Sequence, residues 1–256
     1  MKFLLIFAII LSSTCVHLSL GWTVDYCSPS LCKGLPHIAC GHPGDYVSQC
    51  LSDTTIMNLK PLKNVILDRH NQHRNKVAGG RLPGFSPAVR MATMVWDEEL
   101  AYLASLNALR CDFEHDECRN TDSYRNSGQS LAWRWDPMES VPQPKDALTW
   151  AIDYWFGEHV DSNMQQIDRY YVGHGTEHFT VMVAESNERV GCAGLWLNDG
   201  DGMTSYIVCN YATTNILDRP IYRQGAAGSE CRHGRNRRFS NLCAVGENYN
   251  VSSNRW

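Results

Sequence analysis

Several histidines in this sequence stand where they could bind a metal ion or exchange protons. His70 and His73 share one side of a predicted helix with Leu62, Ile66 and Val77. Imidazole nitrogens bind transition metals and titrate near neutral pH. Histidines on an apolar stripe also occur as hydrogen-bonded core residues. For His70 and His73 we expect this packing role.

Two further residues are unusual in their surroundings. His115 lies in segment 111–118, between two cysteines and among acidic residues. Glu158 continues the apolar stripe that Ala151 and Tyr154 form on another predicted helix. A carboxylate on such a stripe needs a partner or a cavity. Glu158 is also close to the helix end, from which it could reach solvent, so the residues alone leave both interpretations open.

Three helices would position these side chains. The first begins at Pro61, a favourable first helical residue, and ends before Gly79. The second has Asp97 as its N-cap. The third begins at Pro144, and we expect mostly loop through residues 119–144.

A β-hairpin is predicted from residues 190–197 and 204–211, which are rich in β-branched and aromatic side chains. The turn between them, residues 198–202, consists of Asn, Asp and Gly. A hairpin folded about this turn places Cys192 opposite Cys209, at a separation that suits a disulfide. Turn chemistry and cysteine spacing therefore predict the same register.

Residues 177–184 have a similar composition, and we expect them to add a third strand to the hairpin. His178 would then lie at the start of that strand. This three-stranded sheet is the expected centre of the fold.

The N-terminus has the pattern of a secretory signal peptide. Lys2 is followed by an apolar run over residues 3–11 and by small residues up to Gly21. Cleavage there would release a secreted chain that begins at Trp22. We find no second apolar run long enough to span a bilayer. Loss of Lys2 would change the formal net charge from −4 to −5, which argues against general nucleic-acid binding.

Of 11 cysteines, Cys15 falls within the signal peptide and an even number remains. In an exported chain this number favours disulfides, and the scatter of the cysteines makes the alternative, a metal cluster, the weaker interpretation. Residues 22–60 carry four of them among Pro, Gly and His, and we expect an irregular, disulfide-held N-terminal arm. Spacing alone identifies only the hairpin pair.

The C-terminal extension, residues 217–256, includes a short loop between Cys231 and Cys243 and an N-glycosylation sequon at Asn250. The loop is rich in arginine, at Arg232, Arg235, Arg237 and Arg238. Two interpretations stay open: a solvated loop that aids solubility, or a surface that docks onto a sulfated polyanion.

Four short motifs occur in order along the chain: His70-Asn71-Gln72-His73-Arg74, Gly128-Gln129-Ser130-Leu131, Glu177-His178-Phe179-Thr180 and Cys209-Asn210-Tyr211. Each is weak alone, but together with the flanking cysteines they resemble the CAP superfamily of cysteine-rich secretory, antigen-five and pathogenesis-related proteins. Residues 61–216 would form the CAP domain, and the insect antigen-five group is the most similar branch.

The resemblance implies an α+β fold, namely a three-layer α-β-α sandwich with a small antiparallel sheet, a disulfide-stapled N-terminal arm and a C-terminal tail. It also implies a central cavity. The cavity tetrad would be His115, Gln129, Glu158 and His178, with a divalent metal such as zinc held by His115 and His178. Because Gln129 is a neutral amide, we expect the ion to bind weakly.

The disulfides that the resemblance implies are Cys27–Cys40, Cys32–Cys118, Cys50–Cys111, Cys192–Cys209 and, with them, Cys231–Cys243. The chain departs from the family pattern at Ser130, Val181, Ala184 and residues 212–215. These positions would lie at the cavity rim and in a turn.

For function, the resemblance implies a secreted non-enzymatic effector that binds an extracellular ligand, which could be a lipid or sterol, a protein or a small molecule. The alternatives are a metal-dependent hydrolase and an inert scaffold with a polar tetrad. The sequence has no G-x-S-x-G or H-E-x-x-H element. We expect a monomer with no nucleic-acid partner.

Overall fold

A computed structural model of the protein describes residues 24–251, so the predicted signal peptide lies outside the described residues. The helices in this range are α1 (Lys63–Ala78), α2 (Glu98–Ala108), α3 (Pro144–Gly157), α4 (Met164–Asp168) and α5 (Glu177–Val183). The strands are β1 (Thr55–Ile56), β2 (Val95–Trp96), β3 (Gly128–Pro137), β4 (Arg189–Asn198) and β5 (Gly202–Tyr211). None of these helices is long and apolar enough to cross a membrane.

The sheet is built on the β4–β5 hairpin, and its predicted register is confirmed. Asn198 pairs with Met203, and Cys192 lies opposite Cys209. The strand order is β1-β4-β5-β3, and the short β2 adds a parallel pair with β4. β3 runs antiparallel to β5 over its full length, from Gly128 opposite Tyr211 to Pro137 opposite Gly202.

The third strand of the sheet is therefore β3, and the prediction of a strand at residues 177–184 is wrong. Those residues form helix α5. Its residues 179–183 are all buried. A segment that is buried on every side shows no alternation of apolar and polar residues, so its sequence pattern does not distinguish a strand from a helix. The prediction of mostly loop at residues 119–144 is likewise wrong for β3. There Trp133 and Trp135 are exposed and alternate with the partly buried Arg134.

The three predicted helices are confirmed as α1, α2 and α3, although Pro61 lies in a 3-10 turn, Lys60–Leu62, that leads directly into α1. The side chain of Asp97 accepts a hydrogen bond from Leu100 N at 2.9 Å and caps α2 as expected. Tyr154, however, is exposed on α3, and Glu158 follows the helix as the first residue of a short 3-10 turn. The apolar stripe of α3 thus ends before Glu158.

Alternating side chains of β5 divide the core into two layers. Ile207, Cys209 and Tyr211 face the core formed with α1, α3 and α5, whereas Tyr206 and Val208 face the side of α2. This arrangement is the expected three-layer α-β-α sandwich.

Helix α2 lies so close to the sheet that its backbone contacts Gly191. A Cβ atom at Gly191 would come within 2.1 Å of Ala101 N, so only glycine fits at this position.

Residues 24–251 contain five disulfides, and they are the pairs that the resemblance implies: Cys27–Cys40, Cys32–Cys118, Cys50–Cys111, Cys192–Cys209 and Cys231–Cys243. Two of them join the N-terminal arm to the segment that carries His115. The C-terminal extension is attached by the buried ion pair between Arg90 and Glu247 at 2.8 Å.

Candidate functional site

Glu158 connects the end of α3 to the beginning of α5. Its Oε2 accepts hydrogen bonds from the backbone N–H groups of His178 and Phe179 at 2.9 and 3.0 Å. Its Oε1 accepts from His178 Nδ1 at 2.6 Å. The carboxylate thus caps the N-terminus of α5 and orients the imidazole of the second residue of that helix. Of the two interpretations of Glu158, the structure supports the partnered one.

His115 is held by a different kind of partner. Its Nδ1 donates a hydrogen bond to the amide Oε1 of Gln129, on β3, at 2.8 Å. Because this oxygen can only accept, Nδ1 carries the proton and Nε2 keeps its lone pair. Burial lowers the pKa of His115 and outweighs the hydrogen bond to Gln129, which raises it. The ring is therefore neutral at physiological pH and can act as a ligand.

Asp116 belongs to the same hydrogen-bond network, and the sequence analysis did not identify it. The amide Nε2 of Gln129 donates to Asp116 Oδ2 at 2.7 Å and to Asn210 Oδ1 at 3.0 Å. Asp116 is itself buried and ion-paired with Arg119 at 2.7 Å. Because the NH2 group of Gln129 donates to two acceptors, the orientation of the amide is determined, and its oxygen points towards His115.

From the sequence, only the positions of Asp116 and Asn210 next to other candidate residues could have indicated this network. Asp116 adjoins His115, and Asn210 is the central residue of the Cys209-Asn210-Tyr211 motif. Their meeting at Gln129 depends on β3 pairing with β5, which the sequence analysis did not predict.

A cleft of about 280 Å³ opens beside His115 and Gln129. Its other walls include the exposed apolar side chains Val172 and Leu217. Glu158 and His178 are not among its lining residues, so the four predicted tetrad residues form two separate hydrogen-bonded pairs, of which one lies on this cleft. His178 is still near enough for its charge to affect the pKa of His115.

His115 and His178 each keep one ring nitrogen with which an imidazole could bind a metal ion. Within residues 24–251, no hydrogen-bond partner occupies Nε2 of His115 or His178. A Nδ1 that donates to an oxygen is the usual arrangement around a metal-binding histidine. Both oxygens of Glu158 are already engaged, and no group of three His, Cys, Asp or Glu side chains in this range could hold an ion. An ion here would need water or a ligand to complete its coordination.

His70 and His73 have packing roles, as expected. His70 is fully buried, donates from Nδ1 to Ile66 O at 2.8 Å, and accepts from the Tyr211 hydroxyl at 3.1 Å. Burial lowers the pKa of His70 to about 4. His73 donates to Asp153 at 2.7 Å and stacks on Phe156. Both nitrogens of His70 are thus used inside the protein.

The model of the cysteine-rich secretory protein family, CAP, matches residues 67–211. The chain belongs to this family. Venom allergen-1 of Aedes aegypti is 37% identical over 235 residues, covering 90% of this chain and 91% of that protein. The antigen 5 like allergen Cul n 1 of Culicoides nubeculosus is 38% identical over 200 residues, covering 73% and 89%.

Solved structures show the CAP fold as well. A crystal structure of NaASP2 with Zn2+ has a TM-score of 0.61 to this chain at 24% identity, covering 78% of this chain and 100% of that one. At this identity the likeness concerns the fold.

The first CAP motif has a structural role here. Asn71 exchanges hydrogen bonds with the backbone of Met94 at 2.8 and 2.9 Å. The guanidinium of Arg74 is fully buried and donates to backbone carbonyls of Ala92, Met182 and Ala184 at 2.7–3.0 Å. It therefore joins α1 to the C-terminal end of α5, the helix that carries His178.

Proposed function

We propose that this CAP protein is a secreted, non-enzymatic effector that binds an extracellular ligand, and that a divalent ion binds weakly to His115 and His178. The observation that carries the proposal is the matched arrangement of the two imidazoles. Each uses Nδ1 on a protein oxygen, which leaves Nε2 for an incoming ligand. Zinc or a similar ion would serve as a binding group for that ligand. The structure of NaASP2 with Zn2+ supports this choice of ion.

The cleft suggests an amphiphilic ligand, such as a lipid or sterol. Val172 and Leu217 are 62% and 59% exposed at its rim, whereas His115 and Gln129 are polar. An apolar body could cover the two aliphatic side chains while a polar group reaches His115. Burial of exposed apolar area favours such binding by roughly 25 cal/mol per Å².

The cysteines favour binding over catalysis. In residues 24–251, every cysteine is in a disulfide, so none of them is available as a thiolate nucleophile. The hydrolase alternative would depend on a metal-activated water.

The location outside the cell is supported by the family and by the five disulfides. We propose that residues 1–21 are removed as a signal peptide and that Asn250, which is exposed, is glycosylated. The domain limits 22–60, 61–216 and 217–256 are part of the same proposal.

Titration calorimetry with zinc tests the site. We expect weak binding to the wild type, and loss of most of it in His115→Ala and His178→Ala. His42→Ala, which removes a histidine of the N-terminal arm outside the site, is the matched control and should bind like the wild type.

The enzymatic alternative is tested on the same preparations with peptide and ester substrates, with and without zinc. Turnover that disappears in both site variants but not in His42→Ala would show a hydrolase and overturn the non-enzymatic proposal.

A further inference from the structure

The arginine-rich loop between Cys231 and Cys243 is fixed firmly to the domain. Besides the disulfide, Cys243 N donates to Met91 O at 2.8 Å, and Asn236 N donates to Leu242 O at 2.9 Å. Asn236 also caps the following backbone, accepting from the N–H groups of Arg238 and Phe239 at 2.8 and 3.0 Å. The loop is thus a rigid support for the side chains on its outer surface.

Its four arginines are exposed but differ in their partners. Within residues 24–251, Arg232, Arg235 and Arg237 take part in no ion pair. Arg238 forms two parallel hydrogen bonds with Asp68 of α1, at 2.6 and 2.8 Å. Three guanidinium groups are therefore free for an external anion, on a chain whose formal net charge is −4.

We propose that this loop is a docking surface for a sulfated polysaccharide. Guanidinium groups bind sulfate oxygens through paired, charge-assisted hydrogen bonds. A loop that is already ordered loses little conformational entropy when it binds. A repeating anion can engage several arginines at once, which a single small anion cannot do.

The loop is a poor match for insertion into a membrane. Its large apolar side chains, Phe239 and Leu242, are buried in the domain core, so they are not exposed between the arginines for insertion into a bilayer. Membrane-surface segments normally combine basic residues with exposed apolar ones. The proposal does not depend on the cleft or on a bound ion.

Retention on immobilised heparin is the first test. We expect the wild type to bind at low salt and to elute as salt rises, because charge interactions are screened over about 8–10 Å at physiological ionic strength. The triple variant Arg232→Ser, Arg235→Ser, Arg237→Ser should elute at clearly lower salt.

The matched control is Lys33→Ser, Lys60→Ser, Lys145→Ser, which removes three exposed positive charges that likewise form no ion pair within residues 24–251 and should elute close to the wild type. Passage of the wild type without retention, or elution of the two triple variants together, would overturn the proposal.

A second variant should change retention in the opposite direction. Asp68→Asn removes the partner of Arg238, so a fourth guanidinium becomes available and elution should move to higher salt. Asp122→Asn removes one negative charge from an exposed ion pair with Arg125 and is the matched control. If Asp68→Asn elutes no later than Asp122→Asn, Arg238 and its loop do not carry the binding.

Co-sedimentation with vesicles of phosphatidylcholine and phosphatidylserine distinguishes the source of the anion. We expect heparin oligosaccharides to bind and vesicles to leave the protein in solution. Equal binding to vesicles, or undiminished binding to desulfated heparin, would contradict a sulfated polysaccharide as the partner.

Discussion

At the scale of single residues, the two site histidines have similar geometry but different electrostatics. His178 contacts a carboxylate directly, whereas the carboxylate behind His115, that of Asp116, acts through the amide of Gln129. The motif resemblance identified His115, Gln129 and His178 but not Asp116. Asp116 contacts His115 only through the side chain of Gln129, and the spacing of the motifs does not indicate such an indirect contact.

Gln129→Glu should make the folded protein sensitive to pH. It would place a carboxylate where the amide now donates to Asp116 at 2.7 Å, and two such groups must share a proton. The pKa of the pair would be raised in the folded state. The folded variant would therefore lose stability above that pKa and regain it as the pH falls below it. We expect the free energy of unfolding at pH 7 to drop by about 1–3 kcal/mol.

Urea unfolding at pH 7 and pH 5 measures this effect, and the deficit relative to the wild type should be smaller at pH 5. Zinc should stabilise the variant more than the wild type, because the added charge attracts a cation. A variant that matches the wild type at both pH values would show that residue 129 does not face Asp116.

His70 should contribute to the loss of stability in acid. Its pKa is lowered to about 4 in the folded protein, against about 6.5 in the unfolded chain. The neutral ring therefore stabilises the fold above pH 6.5, and this contribution is lost as pH falls towards 4. His70→Gln should remove a stability slope of up to about 1.4 kcal/mol per pH unit across this window. Chemical denaturation between pH 7 and 4.5 tests it, with His174→Gln as an exposed control.

At the scale of elements, turn chemistry and cysteine spacing were enough to predict the hairpin register. Helices α1, α2 and α3 were also predictable, because each has a clear starting residue. Helix α5 was not, since its end groups are satisfied from distant parts of the chain, by Glu158 at one end and Arg74 at the other. A two-turn helix depends on such partners more than on its own propensity.

Arg74→Lys should therefore destabilise α5 more than its modest chemical change suggests. A lysine has one nitrogen and cannot reach the carbonyls of Ala92, Met182 and Ala184 together. We expect a loss of about 3 kcal/mol or more in the free energy of unfolding, because buried carbonyls lose their donors. The matched change Arg69→Lys, at a partly exposed ion pair, should cost less than about 1 kcal/mol. Equal losses in the two variants would contradict this role.

At the scale of the whole molecule, the N-terminal arm is joined covalently to the segment that contributes to the candidate site. Cys50–Cys111 and Cys32–Cys118 enclose the segment that carries His115 and Asp116. The arm was predictable as irregular and disulfide-held, but its contact with the site followed only from the implied pairing.

Replacing Cys50 and Cys111 by serine should lower stability and weaken zinc binding together. Loss of a native disulfide typically costs 2–5 kcal/mol in small secreted domains. The control is the double serine variant of Cys231 and Cys243, which should lose stability while its zinc affinity stays at the wild-type value. Calorimetry below the unfolding temperature of each variant separates the two effects. Unchanged zinc affinity in the first variant would show that the arm does not support the site.

The disulfide between β4 and β5 also determines what a protease can do to this protein. The turn at residues 198–202 is mostly exposed, and Cys192 and Cys209 lie on either side of it. A cut in this turn would break the chain, yet the two pieces would remain covalently joined and aligned by their strand pairing. Such a nicked molecule would run as one band on a gel until it is reduced, and would then separate into two fragments.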